Sequence, residues 1–132
     1  MIRFQIIGET PSKKNSKIWT KSHKLIPSKA YQAWHMDAGI QIASQIAGLA
    51  TSDTVVDGTN VEGIDYPVSI TLTFYHGDNV RRDSDNQAAS IMDLLQDEKV
   101  LADDRWQIVR ILNIYNHYDK GNPRCLIEIN RL

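Results

Sequence analysis

Between Arg81 and Asp104 the chain reads RRDSDNQAASIMDLLQDEKVLADD, with Asp83, Asp85, Asp93, Asp103 and Asp104 set around one short apolar run. Asp83 and Asp85 alternate just before or within the first turn of a helix. If that backbone is extended, side chains at i and i+2 share a face and can reach one ion. The amino end of a helix also favours nearby negative charge. Asn86 follows, able to orient a carboxylate or a ligated water. Asp103 and Asp104 come after the helix and before the next strand, where a fold-back returns them to the helix start. Three or four convergent carboxylates make a hard oxygen site of the kind Mg²⁺ or Mn²⁺ requires. Such an ion activates water and stabilises charge developing on a phosphoryl oxygen. An Asp cap, a turn Asp and a solvated acidic rim explain much of the same pattern, so spacing alone leaves both readings open.

Charge along the chain is segregated, although the net value is only -1. Residues 1–35 carry Arg3, Lys13, Lys14, Lys17, Lys21, Lys24 and Lys29 against Glu9. The middle, from Asp37 to Asp104, is acidic, and positive charge returns with Arg105, Arg110, Lys120, Arg124 and Arg131. A basic arm facing an acidic centre suits a protein that grips phosphates while placing metals near one of them. Ordinary surface charge is the bland alternative.

The elements that must position these groups follow from patterning. The 132 residues are one domain, 1–132, long enough for a hydrophobic core. IRFQII, residues 2–7, is a first strand ended by Gly8. The polar segment to Ala30 is held out of helix by Pro11 and Pro27, with a brief extended piece near Lys24–Ile26, and is the prime candidate for substrate contact. Ser28 caps a helix from Lys29 to about Leu49, with a break at Gly39 open. Residues 51–66 read as an exposed connection. PVSITLTFYH, 67–76, is a strand. A helix then starts near Asp83–Asp85 with the stripe Ala88, Ile91, Met92 and Leu95. Trp106–Tyr115 and Arg124–Ile129 are further strands, placing Trp34 and Trp106 in the core. The expected fold is a two-layer α/β (α+β) domain, a mixed or antiparallel sheet against two main helices.

Several function classes drop out. The opening MIRFQIIGE lacks a signal-peptide core, and no segment approaches a span of ~20 apolar residues. Lone Cys125 points to a reducing interior and to packing rather than chemistry. No GxxxxGK[ST] loop exists, so no nucleotide cofactor is expected. His23, His35 and His117 are too scattered for a zinc cluster, and His76 reads as a strand-end polar residue. Trp19 in the basic loop could touch a base or sugar, and Tyr31 could touch a phosphate or simply pack.

The run D-S-D-N-x6-D-L-L, then V-L-A-D-D before a strand, resembles the RusA-type Holliday junction resolvases. The segments G-x-x-P-S-K-K-N-S-K and I-P-S-K-x-Y-x-x-W look like the phage-associated branch of that family, and the resemblance spans nearly the full chain. It implies a homodimeric, Mg²⁺- or Mn²⁺-dependent endonuclease that nicks four-way DNA junctions symmetrically, working in the cytoplasm of a bacterial or phage-infected cell. By that resemblance Asp83 and Asp85 match the first two catalytic carboxylates and Asp104 the third. Asp103 then shapes the turn or the field beside the metal ligands and is carried with them. Asn86 and Asp93 match supporting positions. Lys13, Lys14, Asn15, Ser16 and Lys17, with Arg81 and Arg82, are the expected DNA contacts. One position departs: the family commonly places a lysine four residues after the second aspartate, and Ala89 stands there. Arg81, Arg82, Lys99 or a loop lysine such as Lys14 could reach in instead. Other divalent-metal nucleases of flaps, nicks or duplexes, and a junction-binding protein with weak or no cleavage, are the competing readings. A small interaction domain with a merely solvated acidic rim is the third.

Overall fold

A computed structural model describes residues 1–14, 17–51 and 62–132. In chain order the elements are β1 (Ile2–Ile7), β2 (Lys17–Trp19), β3 (Leu25–Pro27), α1 (Lys29–Thr51), β4 (Val68–His76), α2 (Ser84–Asp97), β5 (Val109–Tyr118) and β6 (Arg124–Arg131). The main sheet is mixed and runs β1-β6-β4-β5, while β2 and β3 form a separate antiparallel pair. This is the α+β fold expected from the patterning.

Strand β4 alternates strictly, with Val68, Ile70, Leu72 and Phe74 buried and the residues between them half-buried. Its neighbour β6 adds Cys125, Ile127 and Ile129 to the same face, and β1 adds Phe4 and Ile6. Period-2 patterning therefore puts one face of the sheet on the core. Both helices cover that face: α1 through Ala38 and Ile42, and α2 through Ala88, Ile91, Leu94 and Leu95. Burial pushes the Cys125 thiol pKa up, which fits a packing role. Among the described residues no helix is long and apolar enough to cross a membrane.

Strands β4 and β5 are parallel, from Val68↔Val109 to His76↔Tyr118. Parallel neighbours need a crossover connection, and α2 supplies it. Both ends of α2 are thereby fixed against one sheet edge, its start facing the carboxyl end of β4. Asp83 caps this helix, Asp85 and Asp93 lie within it, and Asp103 and Asp104 follow it.

Some expectations need correction. The strand expected from Trp106 begins only at Val109, because Arg105–Ile108 is a turn in which the Ile108 and Val109 N–H groups both donate to the Arg105 carbonyl. Ile108 is the residue that turns inward, and Trp106 is 68% exposed under the Arg110 guanidinium rather than in the core. Trp34 does pack against the core. Helix α1 passes through Gly39 unbroken; the Glu98 carboxyl end lies where a Cβ there would go, so the missing side chain admits a neighbour instead of breaking the helix. Ser28 caps it as expected, its Oγ accepting from the Tyr31 N–H at 3.1 Å. The extended piece near Lys24–Ile26 is one arm of a hairpin with Lys17–Trp19. Most of the expected connection 51–66 lies outside the described residues. Its described end is not a loose loop: Ile64 is buried and its N–H donates to the Val100 carbonyl at 2.9 Å.

Candidate functional site

Asp83 is the N-cap of α2, in extended conformation (φ -92°, ψ 120°), and α2 begins at Ser84. An N-cap aspartate ordinarily spends its carboxylate on the free N–H groups of the first turn. Asp83 makes no such side-chain bond. The extended backbone that would align Asp83 with Asp85 stops between them, so the two carboxylates face different clefts. Asp83 lines one of about 640 Å³ with Glu9, Arg81, Arg82 and Gln87. Asp85 lines another, of about 310 Å³, together with Asp104. The fold-back of the segment after α2 thus brings Asp104 into one cleft with Asp85, and Asp83 lines the neighbouring one.

The roles of Asp103 and Asp104 separate clearly. Asp103 Oδ1 accepts the Asp104 N–H at 2.8 Å and its Oδ2 pairs with Arg105 at 3.4 Å, so its oxygens serve the turn. The side chains of Asp83, Asp85 and Asp104 bond to none of the described residues. By contrast Asp78 is paired with Arg82, Asp93 with Lys13, Asp97 with His35 and Asp119 with Arg124. Of the five aspartates set around the apolar run, Asp93 and Asp103 are engaged and Asp83, Asp85 and Asp104 keep their lone pairs open among the described residues, an all-oxygen donor set that suits a hard divalent ion. Their oxygens do not gather within 4.8 Å as a group; among the described residues the set that does is His35, Asp93 and Asp97. That set was not legible from the spacing of the histidines, because His35 comes from α1 and the aspartates lie one turn apart on α2. In it His35 Nε2 sits 2.9 Å from Asp97 Oδ2.

The basic segment after β1 is threaded onto α2. Gly8 ends β1 with φ +109°, a conformation glycine adopts freely. The Thr10 carbonyl then accepts from Gln87 Nε2 at 2.6 Å and the Pro11 carbonyl from Ser90 Oγ at 2.6 Å. Thr10, Gln87 and Ser90 are buried; these bonds satisfy Gln87 Nε2 and Ser90 Oγ, while Thr10 Oγ1 and Gln87 Oε1 meet no partner among the described residues. The sequence reading passed over Gln87 and Ser90, yet the signal was present: both flank the apolar stripe, so the stripe carries them inward. Further along, the Lys13 N–H donates to the Asn86 carbonyl at 3.4 Å and its Nζ lies 3.1 Å from Asp93 Oδ1. Lys13 lines the Asp85–Asp104 cleft, and its hydrogen bond to Asp93 raises its pKa above the ordinary lysine value.

The arginines expected at the site divide. Arg82 is half-buried and held by Asp78 at 2.6 Å and Glu9 at 3.1 Å. The hydrogen bond from Arg82 keeps the Asp78 carboxyl at about 2, helped by the Val80 N–H. Glu9 also meets His76 Nδ1 at 3.1 Å and Gln87, while Asn116 bridges His76 Nε2 and Ser84 Oγ, each at 2.8 Å. Arg82 and His76 thus belong to a network that locks the ends of β1, β4 and β5 to the start of α2. Arg81 is exposed beside it. Lys99 lies at the far end of α2, left-handed at φ 60°, and does not line the Asp85 cleft. Lys14 and Lys17 are exposed, as is Trp19 in β2, whereas Tyr31 is a buried residue of α1 whose ring meets Trp34 and His35. Asn15 and Ser16 lie outside the described residues. No family model matches the chain, and no curated protein matches it.

Proposed function

We propose that the chain is a metal-dependent, structure-selective endodeoxyribonuclease of the RusA type, nicking four-way DNA junctions by phosphodiester hydrolysis. The observation that carries this reading is the Asp85–Asp104 cleft: two unpaired carboxylates from opposite ends of one helical crossover, with a lysine at its rim. Such a cleft gives one side for a cation and one for a phosphate. Asp85 and Asp104 would hold Mg²⁺ or Mn²⁺, with Asp103 holding the turn and Asp83 lining the neighbouring cleft. A divalent ion, when bound there, supplies Lewis acidity for activating water and for the charge that builds on the phosphoryl oxygens. The chain itself orients the carboxylates through the α2 start, which the Glu9–His76–Arg82 network fixes. The exposed lysines before α1 track the phosphate backbone, so that junction shape rather than sequence supplies selectivity.

Symmetric resolution needs two sites across a two-fold junction, and we infer a homodimer. The two edges of the sheet support this. Strand β1 has its outer edge covered by α1, whereas among the described residues β5 has no strand beyond it, and it exposes Ile111 and Tyr115. The cytoplasm of a bacterial or phage-infected cell, with its recombination and repair intermediates, is the setting this chemistry fits. A second reading, junction binding with weak or no cleavage, is favoured by Asp83 lining the neighbouring cleft rather than that of Asp85. Another divalent-metal nuclease would share the site but not the product.

The test is a labelled mobile four-way junction and a matched duplex incubated with Mg²⁺, Mn²⁺ or EDTA. Paired symmetric nicks that need metal are expected. Asp85→Asn and Asp104→Asn should each slow them by on the order of 10²-fold or more, equivalent to about 3 kcal/mol of transition-state stabilisation. Tight binding without nicks would select the second reading. Cutting of flaps or duplex in preference to junctions would select the other nuclease.

A further inference from the structure

A phosphodiester brought to Asp85 and Asp104 meets two negative side chains, so the cleft needs a cation of its own as well as any ion it holds. Among the described residues Lys13 is the one cation lining that cleft. It does not come from α2 or from the sheet. It is delivered by the segment after β1, which is bolted to successive turns of α2 through Gln87 and Ser90 and through the Lys13 N–H on the Asn86 carbonyl. The ammonium sits 3.1 Å from Asp93 Oδ1 with its side chain 43% exposed. An ammonium has three donors, and Asp93 takes one, leaving the others for the cleft. The small side chain of Ala89 lines the same cleft as Lys13 and Asp85.

We infer that Lys13 is the phosphate-binding cation of the Asp85–Asp104 cleft, and that Asp93 is its positioning residue. The inference rests on the nuclease reading and gives its reaction a specific contact. Asp93 holds the ammonium before substrate arrives, so little reorganisation is left for the moment of reaction, which is the condition under which electrostatic stabilisation is most effective. Asp93 then acts through Lys13 and not on the substrate. Lys14, exposed and without a partner on α2, is a weaker candidate for the same task.

Single-turnover cleavage in Mg²⁺, and junction binding against salt in EDTA, would be measured for wild type, Lys13→Ala, Asp93→Asn and the double variant Lys13→Ala/Ala89→Lys. Exposed ion pairs contribute little to stability, so the variants should keep the wild-type melting temperature. Lys13→Ala should cleave on the order of 10²-fold more slowly, and its log-log salt slope should fall by about 1. Asp93→Asn should lose rate while keeping the slope. A lysine at position 89 projects into the same cleft, so the double variant should regain most of the lost rate, which a merely structural role for Lys13 would not allow. Wild-type cleavage matched by Lys13→Ala, or a double variant as slow as Lys13→Ala, overturns the inference and leaves the nuclease reading standing. A wild type that cleaves no DNA with either metal removes both.

Discussion

At the scale of single residues, charge partners separate the carboxylates proposed to hold metal from the structural ones. Asp78 illustrates the structural kind: Arg82 grips it at 2.6 Å and holds its pKa at about 2, below the usual carboxylate value near 4. A carboxyl whose folded value is depressed adds stability that is present above its unfolded value and lost as pH falls through the folded one. Stability should therefore drop between about pH 4 and pH 2. In Asp78→Asn that contribution is gone at neutral pH, so urea midpoints of the two proteins should converge as pH is lowered through this window. Curves that stay parallel would mean the pair adds nothing. Spacing marked Asp83, Asp85, Asp93, Asp103 and Asp104 as a group, and the resemblance rather than spacing set Asp104 apart from Asp103. The division of Asp83 from Asp85 was not legible in the sequence, because it depends on one backbone transition at Ser84. Nor was Lys13 distinguishable from Lys14, since only the threading of the loop over α2 decides which of two adjacent lysines enters the cleft.

Elements were read well where one periodicity ran their length. Strand β4 and helix α2 show period 2 and the i, i+3, i+4, i+7 stripe without interruption, and both appear where expected. Strand β5 did not, because Trp106 and Ile108 extend the apolar run backward into a turn. The clasp between α1 and β1 was invisible because it is made by polar side chains on the flank of an apolar helix. Gln41 and Gln45 each present an amide to the strand edge: Ile7 and Gln5 donate N–H to their Oε1 atoms at 2.8 Å, and their Nε2 atoms donate to the same residues' carbonyls at 3.2 and 2.7 Å. One helical turn (~6 Å over four residues) nearly equals two residues of strand (~6.8 Å), so residues four apart on α1 match residues two apart on β1. Each glutamine thus acts as one peptide of a missing strand. Substituting both with alanine should lower unfolding free energy by about 1 kcal/mol per glutamine, read from urea denaturation. It should also leave an open edge, so that self-association rises with concentration. Unchanged stability would mean that water replaces the amides at no cost.

For the molecule as a whole, the balance of 15 basic and 16 acidic residues hides a spatial division. The mixed sheet, its two covering helices and the acidic α2 start form one body, while Lys17, Lys21 and Lys24 are exposed on the β2–β3 hairpin, which pairs only with itself. None of the three side chains has an ion-pair partner among the described residues. On the proposed reading these three lysines are contacts to the phosphate backbone outside the Asp85–Asp104 cleft. Each phosphate contact contributes roughly 0.9 to the dependence of log affinity on log salt. Replacing Lys17, Lys21 and Lys24 together with glutamine should flatten the junction-binding slope by roughly 2 to 3, with the melting temperature unchanged because no packed group is touched. Cleavage of a saturated junction should stay close to wild type, since these lysines grip DNA outside the cleft. This separates them from Lys13, whose loss should reduce the slope by about 1 and slow the reaction at saturation as well. A triple variant that binds with the wild-type slope would show that the hairpin does not meet DNA, and that the basic arm works only through the residues threaded onto α2.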